Sequence, residues 1–304
     1  MTFLEETLGF IDPPVKQNES IKKHTTIGVG GLAKYFATPK SLYALRLLIE
    51  SAKAHKLKHF ILGKGSNVLF NDGGYNGLVI STERLQEVSV YNGKVKAMCG
   101  ATLNKVIDFA KSRSLSGLEK LYGIPASIGG AITMNAGAFG ATISDVVSCV
   151  ETIKNGKLCK YYKSDCRFGY RKSRFINSKE VIVSATFDFT NQAKELIEAQ
   201  IKCQKDLRKT MHPMGKSFGS VFKNPNCQKL TAGQIIDRAG LKGYRIGGAM
   251  VSSEHANFIV NVKNATAKDI LNLIYEIKER VYKTFNIELK EEVIIVGEFH
   301  DFNC

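Results

Sequence analysis

Two glycine-rich segments are the residues of this 304-residue sequence whose types and spacing first suggest chemistry. Gly63-Lys64-Gly65-Ser66-Asn67 stands between two apolar runs, where glycines let backbone N–H groups approach an anion closely. It fits neither familiar nucleotide motif. The dinucleotide pattern needs a third glycine where Val68 stands, and the P-loop needs a wider gap followed by Gly-Lys-Ser/Thr. A glycine turn between strands is more often structural than phosphate-binding, so this loop gains weight only from a second one. That one is Gly123-Ile124-Pro125-Ala126-Ser127-Ile128-Gly129-Gly130-Ala131, closely followed by Asn135-Ala136-Gly137-Ala138-Phe139-Gly140. Two such loops could clamp a pyrophosphate from opposite sides and let flat rings pack on bare backbone. Neither contains a histidine or cysteine, so a cofactor held there is expected to be noncovalent.

The elements that must position these loops alternate. Leu42, Leu45, Leu48, Ile49 and Ala52 recur at helical spacing and predict an amphipathic helix over 41–55. The run His59-Phe60-Ile61-Leu62 stopping at Gly63 reads as a strand, as does Gly77-Leu78-Val79-Ile80-Ser81. Leu103, Val106, Ile107 and Ala110 mark a second helix, and 116–140, rich in glycine and poor in periodicity, reads as a long structured loop of the kind that usually carries function. Strands follow at 146–153 and 181–189, then a polar helix near 191–209. A capped helix at 231–239 ends at Gly240, a final helix begins at Thr266 and Asp269, and a last strand runs from Val293 to Val296.

Composition narrows the classes. At 44% hydrophobic residues the chain has material for two or three packed units. It holds no apolar run of the ~20 residues that cross a bilayer, and its first residues lack the order of a secretory signal, so the protein is expected in the cytoplasm and not inserted in a membrane. Seven scattered cysteines without a Cys-x-x-Cys pair point to reduced thiols, with neither a disulfide framework nor a metal site. The net charge of +15 comes from dispersed lysines with no like-charge block and no nucleic-acid signature. We read most of it as background, a lysine-rich surface with no task, with part of it favouring capture of substrates that carry phosphates and carboxylates, and not as a nucleic-acid interface.

The pair GKGSNVLF and GIPASIGGAITMNAGAFG resembles the FAD-binding domain of the vanillyl-alcohol-oxidase type. More closely still, the chain is similar to the UDP-N-acetylenolpyruvoylglucosamine reductase (MurB) family. The likeness continues through HTTIGVGG (24–31), FGYRKSRF (168–175), GSVFKNP (219–225), GGAMVSSEHANFIVN (247–261) and LKEEVIIVG (289–297). It implies an α+β chain: a two-part FAD-binding domain over 1–205, with subdomains near 20–90 and 91–205, and an α+β substrate-binding domain over 206–304 whose last strand could return to the FAD domain. It implies FAD and NADPH as cofactors and reduction of the enolpyruvyl group of UDP-N-acetylenolpyruvoylglucosamine in cell-wall precursor synthesis. An oxidase or dehydrogenase on the same scaffold would have no use for GSVFKNP or the terminal glutamate motif. The alternative from a different class, a nonenzymatic basic protein that binds nucleic acid, predicts binding that falls steeply with salt.

The resemblance also assigns residues. Gly63, Lys64, Gly65, Ser66, Asn67, Gly123, Ile124, Pro125, Ser127, Gly129, Gly130, Asn135, Ala136, Gly137 and Ala138 are implied to hold FAD. Arg171 and Glu292 are implied to stabilise charge at the substrate carboxylate, and Ser220 to give the α carbon its proton. Lys223 and Asn224, with Arg208 a weaker candidate, are implied to meet the diphosphate, and Tyr170 to line the substrate site. Each has a plainer reading as surface charge, turn residue or packing. Glu291 stands one position from Glu292, and Phe218 and Met211 depart from the family pattern near the diphosphate residues.

Overall fold

The computed structural model describes residues 11–225 and 230–297. Cys227 and Cys304 lie outside those residues. Contacts divide the chain into two units. Unit 1 takes the chain up to Gln17, Tyr35–Lys64 and Gly77–Arg208; unit 2 takes Asn18–Lys34, Gly65–Asn76 and the chain from Lys209 onward.

Unit 1 opens its helical layer with Leu42–Ala54, whose first turn is closed by Ser41 accepting from the Ala44 N–H and whose face of Leu45, Leu48 and Ala52 is buried. The strand His59–Leu62 runs parallel to residues 78–81, so the chain between them must cross back through the first glycine loop. A five-stranded antiparallel sheet follows, in the spatial order Lys157–Tyr162, Val147–Lys154, Val181–Phe187, Lys94–Met98, Val88–Tyr91. Its two tight hairpins turn at Asn92-Gly93 and Asn155-Gly156, where both residues of each pair have positive φ. That is the geometry that matches strand twist and that Asn-Gly tolerates. The helix Leu103–Lys111 is capped by Thr102, and the polar helix expected near 191–209 is Lys194–Met211, which buries Ile197 and Ile201.

The segment 116–140 is not a loop throughout. Ser127 caps a helix over Ile128–Met134 that ends at Asn135 in the left-handed conformation, and Ile128, Ala131 and Ile132 pack into the core. Two glycines near its start lower its helical propensity and hide it from a periodicity reading. The residues before it are docked by backbone: Leu103 donates to the Ala126 carbonyl, Ile128 to Ala101 and Gly129 to Cys99.

Unit 2 has its own core, in which Leu69, Phe222, Ile236, Ile259, Ile274 and Leu289 are buried together. Four antiparallel strands, Ser217–Ser220, Phe258–Asn261, Ala249–Val251 and Arg245–Ile246, lie side by side in that order. The helix Ala232–Arg238 begins at a Thr231–Gln234 capping box and is followed by Gly240 at positive φ; Ala267–Phe285 begins at a Thr266–Asp269 capping box. The strand Ile294–Val296 pairs in parallel with Val68–Phe70.

Candidate active site

In unit 1 the start of the first glycine segment, Gly63 and Lys64, meets the second. A Cβ on Gly63 would stand 2.2 Å from Ser127 Oγ, and that hydroxyl is 2% exposed and caps the Ile128–Met134 helix by accepting from the Gly130 N–H. Only a bare α carbon permits the approach. Around this junction Lys64, Gly123, Pro125 and Gly130 are exposed, while Ile124, Ala136 and Ala138 pack on the core and give the surface its shape. Exposed peptide backbone on a rigid, cap-fixed turn suits a flat, anionic cofactor such as FAD, and in unit 1 the residues present fit that group. Cys99 lies beneath Gly129, within 3.2 Å of where its Cβ would be. Burial pushes the Cys99 thiol up to about 12, so it is inert toward a flavin.

Arg208, near the end of the Lys194–Met211 helix, clasps the same segment. Its Nε donates to the Tyr122 carbonyl at 2.7 Å and its Nη2 to Lys120 at 3.3 Å, and its guanidinium lies over the Phe139 ring. Burial holds its pKa below the usual arginine value.

Arg171 sits at the tip of a four-residue hairpin in which Gly169 and Lys172 exchange backbone hydrogen bonds at 3.0 and 3.1 Å. Its φ of 48° is left-handed, a conformation that costs a non-glycine residue about 1 to 2 kcal/mol. The neighbouring Tyr170 is 52% exposed, with the Arg171 guanidinium 5.4 Å from its ring centre. The guanidinium reaches back to the second glycine segment: Nη2 donates to the Gly137 carbonyl at 2.9 Å, and Nη1 stands 3.2 Å from where a Gly137 Cβ would be.

Unit 2 carries the other two implied catalytic residues on segments that are bonded together. Ser220 ends its strand, and just beyond it Val221 accepts from the Glu292 N–H at 2.7 Å while Lys223 donates to the Lys290 carbonyl at 2.9 Å. The ladder joins residues far apart in sequence. The Glu291 carboxylate is held 2.7 Å from Lys278 Nζ on the final helix. Asn67 Nδ2 donates to the Glu292 carbonyl at 3.0 Å, and the Asn67 carbonyl accepts from Ile294. Thus Asn67, expected to serve FAD, also holds the glutamate's backbone. Thr26 of HTTIGVGG ties the same loop to the serine strand: its N–H donates to Gly65 and its hydroxyl to the Ser217 carbonyl at 2.6 Å.

Sequence reasoning missed Asn257. It is 4% exposed and clamps Val221 and Phe222 through three hydrogen bonds, its side chain both accepting from Phe222 N and donating to Phe222 O. An asparagine beside the buried run Phe258–Asn261 was its one visible signal. Asn224 Oδ1 accepts from the Ala232 N–H at the start of the 232–238 helix, and Lys223 is half-buried. Phe218 packs into the unit 2 core, so its bulk is absorbed by the fold, whereas Met211 is 47% exposed. Among the described residues no group of His, Cys, Asp and Glu could hold a metal, and no helix is long and apolar enough to cross a membrane.

Comparison with known proteins bears on this arrangement. Residues 33–160 match the FAD binding domain family, and residues 210–296 match the C-terminal domain of UDP-N-acetylenolpyruvoylglucosamine reductase. The chain is 40% identical to the UDP-N-acetylenolpyruvoylglucosamine reductase of Clostridium tetani over 97% of its own length and 95% of the relative's. It is 40% identical to that of Listeria innocua over 93% and 95%. Its structure resembles the crystal structure of UDP-N-acetylenolpyruvylglucosamine reductase from Thermus caldophilus with a TM-score of 0.77 at 34% identity, covering 93% of this chain and 98% of that one. A glucose dehydrogenase, Phl p 4.0202, matches at 16% identity and a TM-score of 0.50, a likeness of fold alone.

Proposed function

Because the chain belongs to the UDP-N-acetylenolpyruvoylglucosamine reductase family, we propose that Arg171, Glu292 and Ser220 divide the work of saturating the enolpyruvyl double bond, with NADPH as the source of reducing equivalents. The chain is an FAD-binding oxidoreductase of peptidoglycan precursor synthesis. FAD, which the glycine segments would hold, would supply hydride for the β carbon when bound, with NADPH as the reductant.

Hydride arrival at the β carbon drives negative charge toward the conjugated carboxylate. Arg171 offers that carboxylate a planar fork of donors, which a lysine could not, and Glu292 shares the stabilisation. The Ser220 hydroxyl gives a proton to the α carbon, a general-acid role that needs no Ser/His/Asp triad. Lys223 and Asn224 meet the diphosphate with a point charge and an amide, while Arg208, whose donors hold residues 120–122, acts on the cofactor loop. Tyr170, exposed beside Arg171, lines the sugar-nucleotide side. We assign FAD to the chain up to about residue 205 and the sugar nucleotide to 206–304, and place the enzyme in the cytoplasm, where NADPH and UDP-sugars occur.

The observation that carries this reading is the bonding of each implied catalytic residue to a motif segment: Arg171 to Gly137, and the Ser220 strand to Glu292 through Val221. Ser220→Ala tests it by stopped-flow. Flavin reduction by NADPH is expected to stay near wild type, and flavin reoxidation by the enolpyruvyl sugar to fall by about 100- to 10,000-fold, the usual cost of losing a positioned general acid. Ser220→Cys should recover part of the loss. Equal slowing of both half-reactions would reduce Ser220 to a turn residue.

A further inference from the structure

Resting on the reading of Arg171 above, we propose that Asn135 and Ser173 are positioning residues that hold the Arg171 hairpin at its working height and angle. The resemblance gives Asn135 to FAD, but its side chain is turned inward. It is 3% exposed, its Nδ2 donates to the Gly169 carbonyl at 2.9 Å, and its Oδ1 accepts from the Ser144 N–H at 3.3 Å. Gly169 is the residue at which the hairpin closes, so this bond fixes one leg of the turn whose tip is Arg171. Ser173 fixes the other leg. At 4% exposure its hydroxyl donates to the Thr133 carbonyl at 2.6 Å and accepts from Phe175 N at 3.2 Å. Thr133 and Asn135 form the C-terminal end of the Ile128–Met134 helix, and the third attachment, from Arg171 Nη2 to Gly137, lands two residues further along.

Three hydrogen bonds thus join the hairpin to residues 133–137: Arg171 and Ser173 donate to the Gly137 and Thr133 carbonyls, and the Asn135 amide donates to the Gly169 carbonyl. Each holds a part of the hairpin that backbone pairing alone leaves free to tilt. The left-handed φ of Arg171 is consistent with a turn held by its surroundings, since such conformations persist where neighbouring contacts over-determine them. Asn135 is itself left-handed at φ 44°, which asparagine tolerates, so one residue both ends the helix and aims the arginine. Ser173 in the pattern Tyr170-Arg171-x-Ser173 follows from the same geometry: two residues past the tip, its hydroxyl reaches the helix end.

The test uses holoenzyme variants Asn135→Asp, which keeps the left-handed preference but removes the donor to Gly169, and Ser173→Ala, each alone and combined with Arg171→Ala. Both single variants are expected to retain FAD and to be reduced by NADPH at near wild-type rates. Reoxidation by the enolpyruvyl sugar should slow by about 100-fold, as a misplaced group of roughly 1 Å typically does. In the Arg171→Ala background neither should slow reoxidation further. Wild-type reoxidation in both single variants, loss of FAD from Asn135→Asp, equal slowing of the two half-reactions, or a full additional loss beside Arg171→Ala each overturns the proposal. Normal reoxidation in Arg171→Ala alone is a separate failure: it removes the arginine from the reaction and leaves nothing to position.

Discussion

At the scale of single residues, the glycine loops to which we assign the cofactor offer it backbone and shape, and side chains in them do work that the backbone pattern conceals. Gly63 is needed for its missing Cβ, because Ser127 stands where one would be. Ser127 is needed for its cap, worth about 1 kcal/mol in such positions. No histidine or cysteine lies in either loop, and the Cys99 thiol beneath Gly129 is buried and raised to about 12. The flavin is therefore expected to leave the protein on acid precipitation, with its colour in the supernatant; colour retained by the pellet would mean a covalent link and a wrong model of the cradle. The loops were legible because glycine spacing is local. The partners of their asparagines were not. Asn67 meets Glu292 across 225 residues and Asn135 meets Gly169 across 34, pairings that only the folded chain creates.

At the scale of elements, caps carried the readable signal and turns were passed over. Thr266 with Asp269 and Thr231 with Gly240 bound their helices as their spacing predicts, whereas Asn92-Gly93 and Asn155-Gly156, equally local signs of hairpins, define strands that periodicity alone leaves unassigned. Asp269 also shows why a cap can depend on pH. Burial acts to raise its pKa, but the N–H groups of Thr266 and Gly248 and the Thr266 hydroxyl outweigh it and hold the carboxyl below its ordinary value. A depressed carboxyl stabilises the fold fully above the unfolded-state pKa and loses that contribution as pH falls through the folded one. Asp269→Ala should thus lower the melting temperature at neutral pH by the equivalent of about 1 kcal/mol, and the gap to wild type should narrow as pH drops below about 4. A gap that stays constant into acid would mean that charge at Asp269 contributes nothing.

At the scale of the whole molecule, sequence order and packing order differ. Read along the chain, the order of elements sets 206–304 apart as a unit. Unit 2, however, also includes residues 18–34 and 65–76. These bring Ile27, Val29 and Leu69 into its core, the strand Val68–Phe70 alongside Ile294–Val296, and Asp72, whose carboxylate accepts from the Ala267 and Lys268 N–H groups at the head of the final helix. Deleting even one large buried aliphatic side chain costs roughly 2 to 5 kcal/mol, against about 5 to 15 kcal/mol for the whole stability of a typical domain. A fragment of residues 206–304 lacks all three of those side chains, the parallel strand and the cap together, so their combined loss exceeds what such a unit can bear. Expressed alone, the fragment is expected to show no cooperative thermal transition and poorly dispersed amide resonances, while the full chain melts cooperatively. A sharp transition from the fragment by itself would show that residues 18–34 and 65–76 decorate unit 2 without being required to build it.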